Sequence, residues 1–112
     1  MIMVDGLKVW TRSPKPPFHK GSCHLTTDDL TLAELHRFAE RIGMQPNWFQ
    51  AHNFCPHYDL TPKRRELAVA LGAVQVDAVA QARKRRALGI GIGLKTWDEV
   101  ARERGVEVSL GC

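Results

Sequence analysis

Apolar positions fall on a helical period most clearly between residues 31 and 42, where Leu32, Leu35, Phe38, Ala39 and Ile42 share one face. Thr31 with Glu34 makes a capping-box pattern at the head of this segment, and Gly43 followed by Pro46 marks its end. A second helix is predicted from Thr61-Pro62, with Thr as N-cap and Pro in the first turn, to Leu71 before Gly72. Asp77 caps a third helix reaching about Leu88, and Thr96 with Glu99 repeats the capping box over a short helix to Arg104, stopped by Gly105. Strand patterns lie between them. The opening IMVDGLKVW reads as a strand, with a hairpin turning at Asp5-Gly6 as the alternative, and Ser22-Cys23-His24-Leu25 reads as a short buried strand. Ala73 to Val76 is a third strand, and the alternation of Val106 to Leu110 is a last one. Helices alternating with short strands predict an α/β fold, a compact single domain in which a small mixed sheet packs with about four helices.

Two segments carry neither period. Residues 11–20, TRSPKPPFHK, hold three prolines and read as a loop. Gln45 to Leu60 carries Trp48, Phe49, His52, Phe54, His57 and Tyr58, and an aromatic loop of that length in a small domain is functional or packed by its own side chains. Gly89-Ile90-Gly91-Ile92-Gly93 lacks the Lys-Ser/Thr of a phosphate loop and reads as a connector. With 112 residues and no internal repeat, the chain is expected to form one domain over 1–112, with a C-terminal helix and strand over 96–110.

Composition narrows the class. At 44% hydrophobic and 25% charged residues the chain has the make-up of an ordered globular protein. No run approaches the roughly 18 apolar residues of a membrane span, and no secretory signal pattern opens the chain. Cys23, Cys55 and Cys112 form no disulfide framework, so reduced thiols and a cytoplasmic location are expected. The net charge of +4 is unevenly spread: residues 1–60 hold six basic and six acidic side chains, residues 61–112 ten basic and six acidic. The clusters Lys63-Arg64-Arg65 and Arg83-Lys84-Arg85-Arg86 favour phosphate-bearing partners, with nucleic acid backbone as a second partner class. Trp97, Val100 and Ala101 make a small apolar stripe, which suits the core or a homo-oligomer contact.

The densest chemistry is HYDLTPKRR, residues 57–65. Free N–H groups at the head of the second helix favour an anion, Lys63 and Arg64 add charge, and Trp48 or Tyr58 offers a ring for a base. Three metal-capable side chains, His52, Cys55 and His57, fall within six residues, but the paired Cys-x-x-Cys spacing of a zinc knuckle is missing and no cofactor is expected. His24, His57 and Asp59 would be the working groups of an acid–base enzyme. His24-Leu25-Thr26 has the His-x-Thr form of two-histidine phosphodiesterases, of which His57-Tyr58-Asp59 supplies only a partial second copy. His36 lies at the margin of the apolar helix face.

Val4-Asp5, Ser22, His24-Leu25, Glu34-Leu35-His36, Phe38-Ala39, Ile42-Gly43, Trp48-Phe49-Gln50, His57-Tyr58-Asp59 and Gly72-Ala73-Val74 together resemble domain of unknown function family 4031, found in bacteria and their phages. The resemblance spans roughly residues 2–86, and departs from the pattern at the loop 11–20, an insert from Ala51 to Pro56 and the tail beyond Leu88. It brings no activity; it implies a cytosolic setting, often viral, where small proteins act on host machinery or defence. The combined expectation is a protein that binds a phosphate-containing ligand, a nucleotide first, through His24, His36, Trp48, His57, Tyr58, Asp59, Lys63 and Arg64, and sequesters a nucleotide immune signal. A His-dependent phosphodiesterase or nuclease, and a protein-binding adaptor, are the two alternatives.

Overall fold

The computed structural model describes residues 1–9, 16 and 20–109. Among these residues, five short strands form one mixed sheet: β1 (Ile2–Val4), β2 (Cys23–Thr27), β3 (Phe49–Gln50), β4 (His57–Leu60) and β5 (Val74–Gln75). Their order across the sheet is β3-β4-β2-β1-β5, antiparallel throughout except for the parallel β1–β5 pair. Four α-helices accompany it: α1 (Ala33–Arg41), α2 (Pro62–Ala70), α3 (Ala78–Ala87) and α4 (Trp97–Glu103). The mixed α/β architecture is the expected one.

Alternation along the central strands sorts side chains between two faces. Ile2, Val4, Cys23, Leu25, Tyr58 and Leu60 face the main core, where they meet Leu35, Phe38 and Ala39 of α1. The register pairs His24 with Asp59, and both point to the other face, shared with Met3 and Thr26. There Gln81 of α3, only 2% exposed, accepts from the Thr26 hydroxyl at 2.8 Å and donates to Val76 O at 2.8 Å. This buried amide ties α3 to the sheet.

Caps account for three helix starts as the residue types require. Thr61 accepts from Arg64 N, Asp77 from Ala80 N, and Thr96 and Glu99 close a complete capping box. The first helix departs from expectation. Leu32, not Thr31, stands at its N-cap in the left-handed region at φ 63°, and no Thr31–Glu34 box forms. Asp29 takes the capping part from outside the helix: its carboxylate accepts from Glu34 N at 3.1 Å and from Thr31 N at 3.0 Å. Glu34 turns instead to the Thr27 hydroxyl, at 3.2 Å.

Three further expectations are corrected. The chain does not fold back at Asp5-Gly6; it continues alongside β2 to an antiparallel bridge between Lys8 and Ser22. Its backbone is held there by Asp5 N on His24 O and by the paired bonds between Lys8 and Ser22. The aromatic segment 45–60 is not all loop, since it holds a 3₁₀ turn at Pro46–Trp48 and the strands β3 and β4. Residues 106–109 form no strand; Ser109 N donates to Thr31 O at 2.7 Å and the segment lies outside the sheet. Most of the proline-rich loop 11–20, and Leu110, fall outside the described residues. The stripe Trp97, Val100 and Ala101 is buried, with Trp97 Nε1 donating to Leu30 O and its main-chain N–H to Asn53 O.

Replacing Gln81 with Leu keeps the volume but strands the Thr26 hydroxyl and the Val76 carbonyl in a dry site. We expect Gln81→Leu to destabilise the fold by about 1–3 kcal/mol, read as a lowered midpoint in urea denaturation; an unchanged midpoint would contradict this role for the amide.

Candidate functional site

The site grows from the β2–β4 register. Because β4 reads His57, Tyr58, Asp59, Leu60, its odd members face away from the core, and β2 sets His24 directly across from Asp59. β1 ends beside them, so Asp5 follows Val4 out of the sheet and meets His24 from the other side. The Asp5 carboxylate accepts twice, from His24 N at 2.6 Å and from His24 Nδ1 at 2.8 Å. An ionised carboxylate cannot donate, so Nδ1 of His24 carries the proton and Nε2 turns toward Asp59, 3.8 Å from its Oδ1. Burial would raise the Asp5 pKa, but the His24 ring and main-chain N–H hold it below the ordinary value.

His57 is fixed in the same way. Its Nδ1 donates to Cys55 O at 2.7 Å, and its Nε2 lies 3.4 Å from Asp59 Oδ1. Burial opposes charge on this ring, yet Asp59 and the Cys55 carbonyl outweigh it and raise the pKa to about 10. Both ring nitrogens face acceptors, which is the arrangement an imidazolium prefers. Asp59 in turn is held below its usual value, first by His57 and against its own burial. The two imidazoles stand edge to face with centroids 4.7 Å apart.

Two cavities adjoin the cluster. One of about 280 Å³ is lined by His24, His57, Asp5, His52, Gln81 and Arg85 among others. The second, about 320 Å³, is lined by Met44, Asn47, Trp48, Gln50, Asp59, Thr61 and Arg64. Asp59 therefore belongs to both the histidine cluster and the second cleft. Trp48 is 42% exposed, and the Arg64 guanidinium packs on its ring at 5.4 Å.

The sheet separates residues that the sequence groups together. His24, His57 and Asp59 converge on one face. Tyr58 and His36 lie on the other: Tyr58 is 2% exposed and its hydroxyl bonds His36 Nδ1 at 2.8 Å, while His36 Nε2 donates to Ser109 O at 2.8 Å. A buried Tyr58 has no open face for a base, whereas Trp48 is exposed. The three consecutive cations diverge, as 100° per residue on a helix requires. Lys63 is exposed, Arg64 donates to Ile42 O and Gly43 O at the end of α1, and Arg65 donates to Asp5 O at 2.9 Å and to Gln75. His52 is turned inward on its own loop, where Nδ1 accepts from Phe54 N and Cys55 N. Among the described residues, the side chains whose ligand atoms gather closely enough for a metal ion are His24, His57 and Asp59, rather than the set His52, Cys55 and His57.

Asp5, Asn47 and Gln50 are site neighbours that the sequence reading did not select, while Arg65 and Arg85 come from the two basic clusters that it did. Asp5 had a readable signal: a carboxylate at the end of an apolar strand needs a partner, because burial of an unpaired charge is costly. Gln50 follows from register, since it pairs with His57 and so shares its face. Arg85 had no local signal among four successive cationic residues.

The sequence profile of a family described as Protein of unknown function (DUF4031) matches residues 10–88. No curated protein and no solved structure matches the chain.

The His57–Asp59 pair carries a pH signature. The folded-state pKa of His57 lies above its ordinary value near 6.5, so the stability it contributes is complete below about pH 6.5 and fades as the pH rises toward 10. In metal-free buffer, ¹⁵N NMR is expected to find the His57 ring doubly protonated through neutrality, and Asp59→Asn to bring its titration down toward 6.5. A wild-type midpoint near 6.5 would remove Asp59 as its partner.

Proposed function

The chain belongs to the DUF4031 family, whose description carries no activity, and from the geometry of its own site we propose that it binds a phosphate-containing ligand, a nucleotide first. The observation that carries this reading is the cleft of about 320 Å³ that sets an exposed indole, Trp48, beside the side chains of Asn47, Gln50 and Asp59. That volume is at the small end of ligand pockets, the size class of a nucleoside. An aromatic ring takes a base by stacking, the amides offer paired donors and acceptors to a base edge, and Asp59 accepts from a ribose hydroxyl. Cationic groups for the phosphate stand nearby in His57 and, across the neighbouring cavity, Arg85. Arg64, already committed to two carbonyls, supports Trp48 rather than the phosphate. In the bacterial and phage setting the family resemblance implies, holding a nucleotide signal without consuming it would withdraw that signal from defence.

Calorimetric titration with mononucleotides, cyclic dinucleotides and ADP-ribose derivatives tests the reading. One of them is expected to bind at one per chain, and Trp48→Ala, at an exposed position, to weaken it about 5- to 100-fold. No heat from any of them with folded protein would defeat the proposal.

A second reading, hydrolysis of a phosphodiester, is favoured by the His24 and His57 rings at 4.7 Å, a spacing at which one imidazole can accept a proton while the other donates one. Mass spectrometry of the ligand after incubation separates the two. Intact ligand supports sequestration, and cleaved ligand whose formation is lost in His24→Gln supports the enzyme.

A further inference from the structure

We propose that His24, His57 and Asp59 form a binding site for one divalent ion of the zinc class. One potential ligand atom from each of His24, His57 and Asp59 lies within 4.8 Å of the other two. Nε2 of His24 and Nε2 of His57 stand 3.8 and 3.4 Å from Asp59 Oδ1. Ligands about 2.0–2.1 Å from a tetrahedral ion are roughly 3.3 Å apart, so small side-chain adjustments close the set.

The hydrogen bonds behind the ligands point to a metal more strongly still. A metal-binding histidine characteristically donates its other ring N–H to a carboxylate or a main-chain carbonyl, which fixes the ring and its tautomer. Both histidines do this: Nδ1 of His24 bonds the Asp5 carboxylate at 2.8 Å, and Nδ1 of His57 bonds Cys55 O at 2.7 Å. In each ring it is therefore Nε2 that is aimed at Asp59. A simple ion pair between His57 and Asp59 would need neither the second imidazole nor Asp5 behind it. On binding, the ion replaces the Nε2 proton of His57, which passes to solvent.

Donor chemistry selects the ion. Two imidazoles and one carboxylate suit Zn²⁺ or a neighbouring transition metal, whereas Mg²⁺ and Ca²⁺ prefer sites built of oxygen. Three protein ligands leave a fourth position open, which is the pattern of zinc sites that take water or substrate. The side chains of His24 and Asp59 are 40% and 38% exposed, so an ion can enter and the open position can be reached from outside. Asp59 also lines the Trp48 cleft. A phosphate oxygen at the open position would join the two sites; that step alone rests on the nucleotide reading.

Metal-stripped protein titrated with Zn²⁺, and with Co²⁺ as a visible-absorption probe, tests the site without any nucleotide. One equivalent per chain is expected, with Co²⁺ absorption of tetrahedral or five-coordinate type and no competition from Mg²⁺. His24→Gln and Asp59→Asn, both at accessible positions, should each abolish or strongly weaken binding. Asp5→Asn, which touches no ion, should weaken it about 10- to 100-fold, while His52→Asn and Cys55→Ser leave it unchanged. Circular dichroism confirms that each variant is folded. No bound equivalent in the wild type, equal binding in His24→Gln and Asp59→Asn, or loss in Cys55→Ser would each overturn the assignment. Zinc binding with no nucleotide binding would leave the metal site standing and remove the proposed function; the converse would do the opposite.

Discussion

Everything distinctive about this molecule depends on the antiparallel register between β2 and β4. That register sets Leu25 against Tyr58 on the core side and His24 against Asp59 on the other. A slip of one residue would exchange the faces, burying two ionisable groups and exposing a leucine and a tyrosine. The register is thus held by the hydrophobic core: Leu25 and Leu60 are fully buried, and their removal from water orients the polar cluster without any contact with it. The polar side then adds its own restraint, because Asp5 bonds both the main chain and the ring of His24.

A second layer of order comes from side chains that reach main-chain atoms on distant elements. Gln81 locks α3 against β2 and the end of β5. Arg64 joins α2 to the carbonyls that close α1, and cations suit a helix C-terminus. Arg65 grips Asp5 O, so the same helix steadies the residue that orients His24. Cys23 is buried in this framework with its thiol pushed up to about 12, mainly by desolvation, which makes it a packing group rather than a nucleophile.

What could be read from sequence was local chemistry. Thr61, Asp77 and Thr96 with Glu99 announce helix starts because a cap is satisfied within three or four residues. Thr31 forms no capping box because Asp29, two positions earlier, offers a charged acceptor that takes the Glu34 N–H, while the Thr31 hydroxyl accepts from Ala33 N instead. The site was half legible for the same reason. His57 and Asp59 alternate on one strand and are neighbours in sequence, but their meeting with His24 and Asp5 depends on strand pairing over long separations. Tyr58 was drawn in by proximity along the chain and His36 as a tunable imidazole, and only the sheet reveals that they stand behind it. The basic run 63–65 resolves into three separate directions, as its helical spacing already requires.

The attachment of the tail beyond α4 has a consequence for how this chain can change. Ser109 is held by its own N–H on Thr31 O and by its carbonyl on His36 Nε2. Both bonds use the backbone, which every residue but proline supplies in full. His36 on the receiving helix is constrained, because its ring must meet the Ser109 carbonyl and the Tyr58 hydroxyl at once. The tail lies outside residues 10–88, the span matched by the family profile, so this link ties a segment beyond the match to a helix within it.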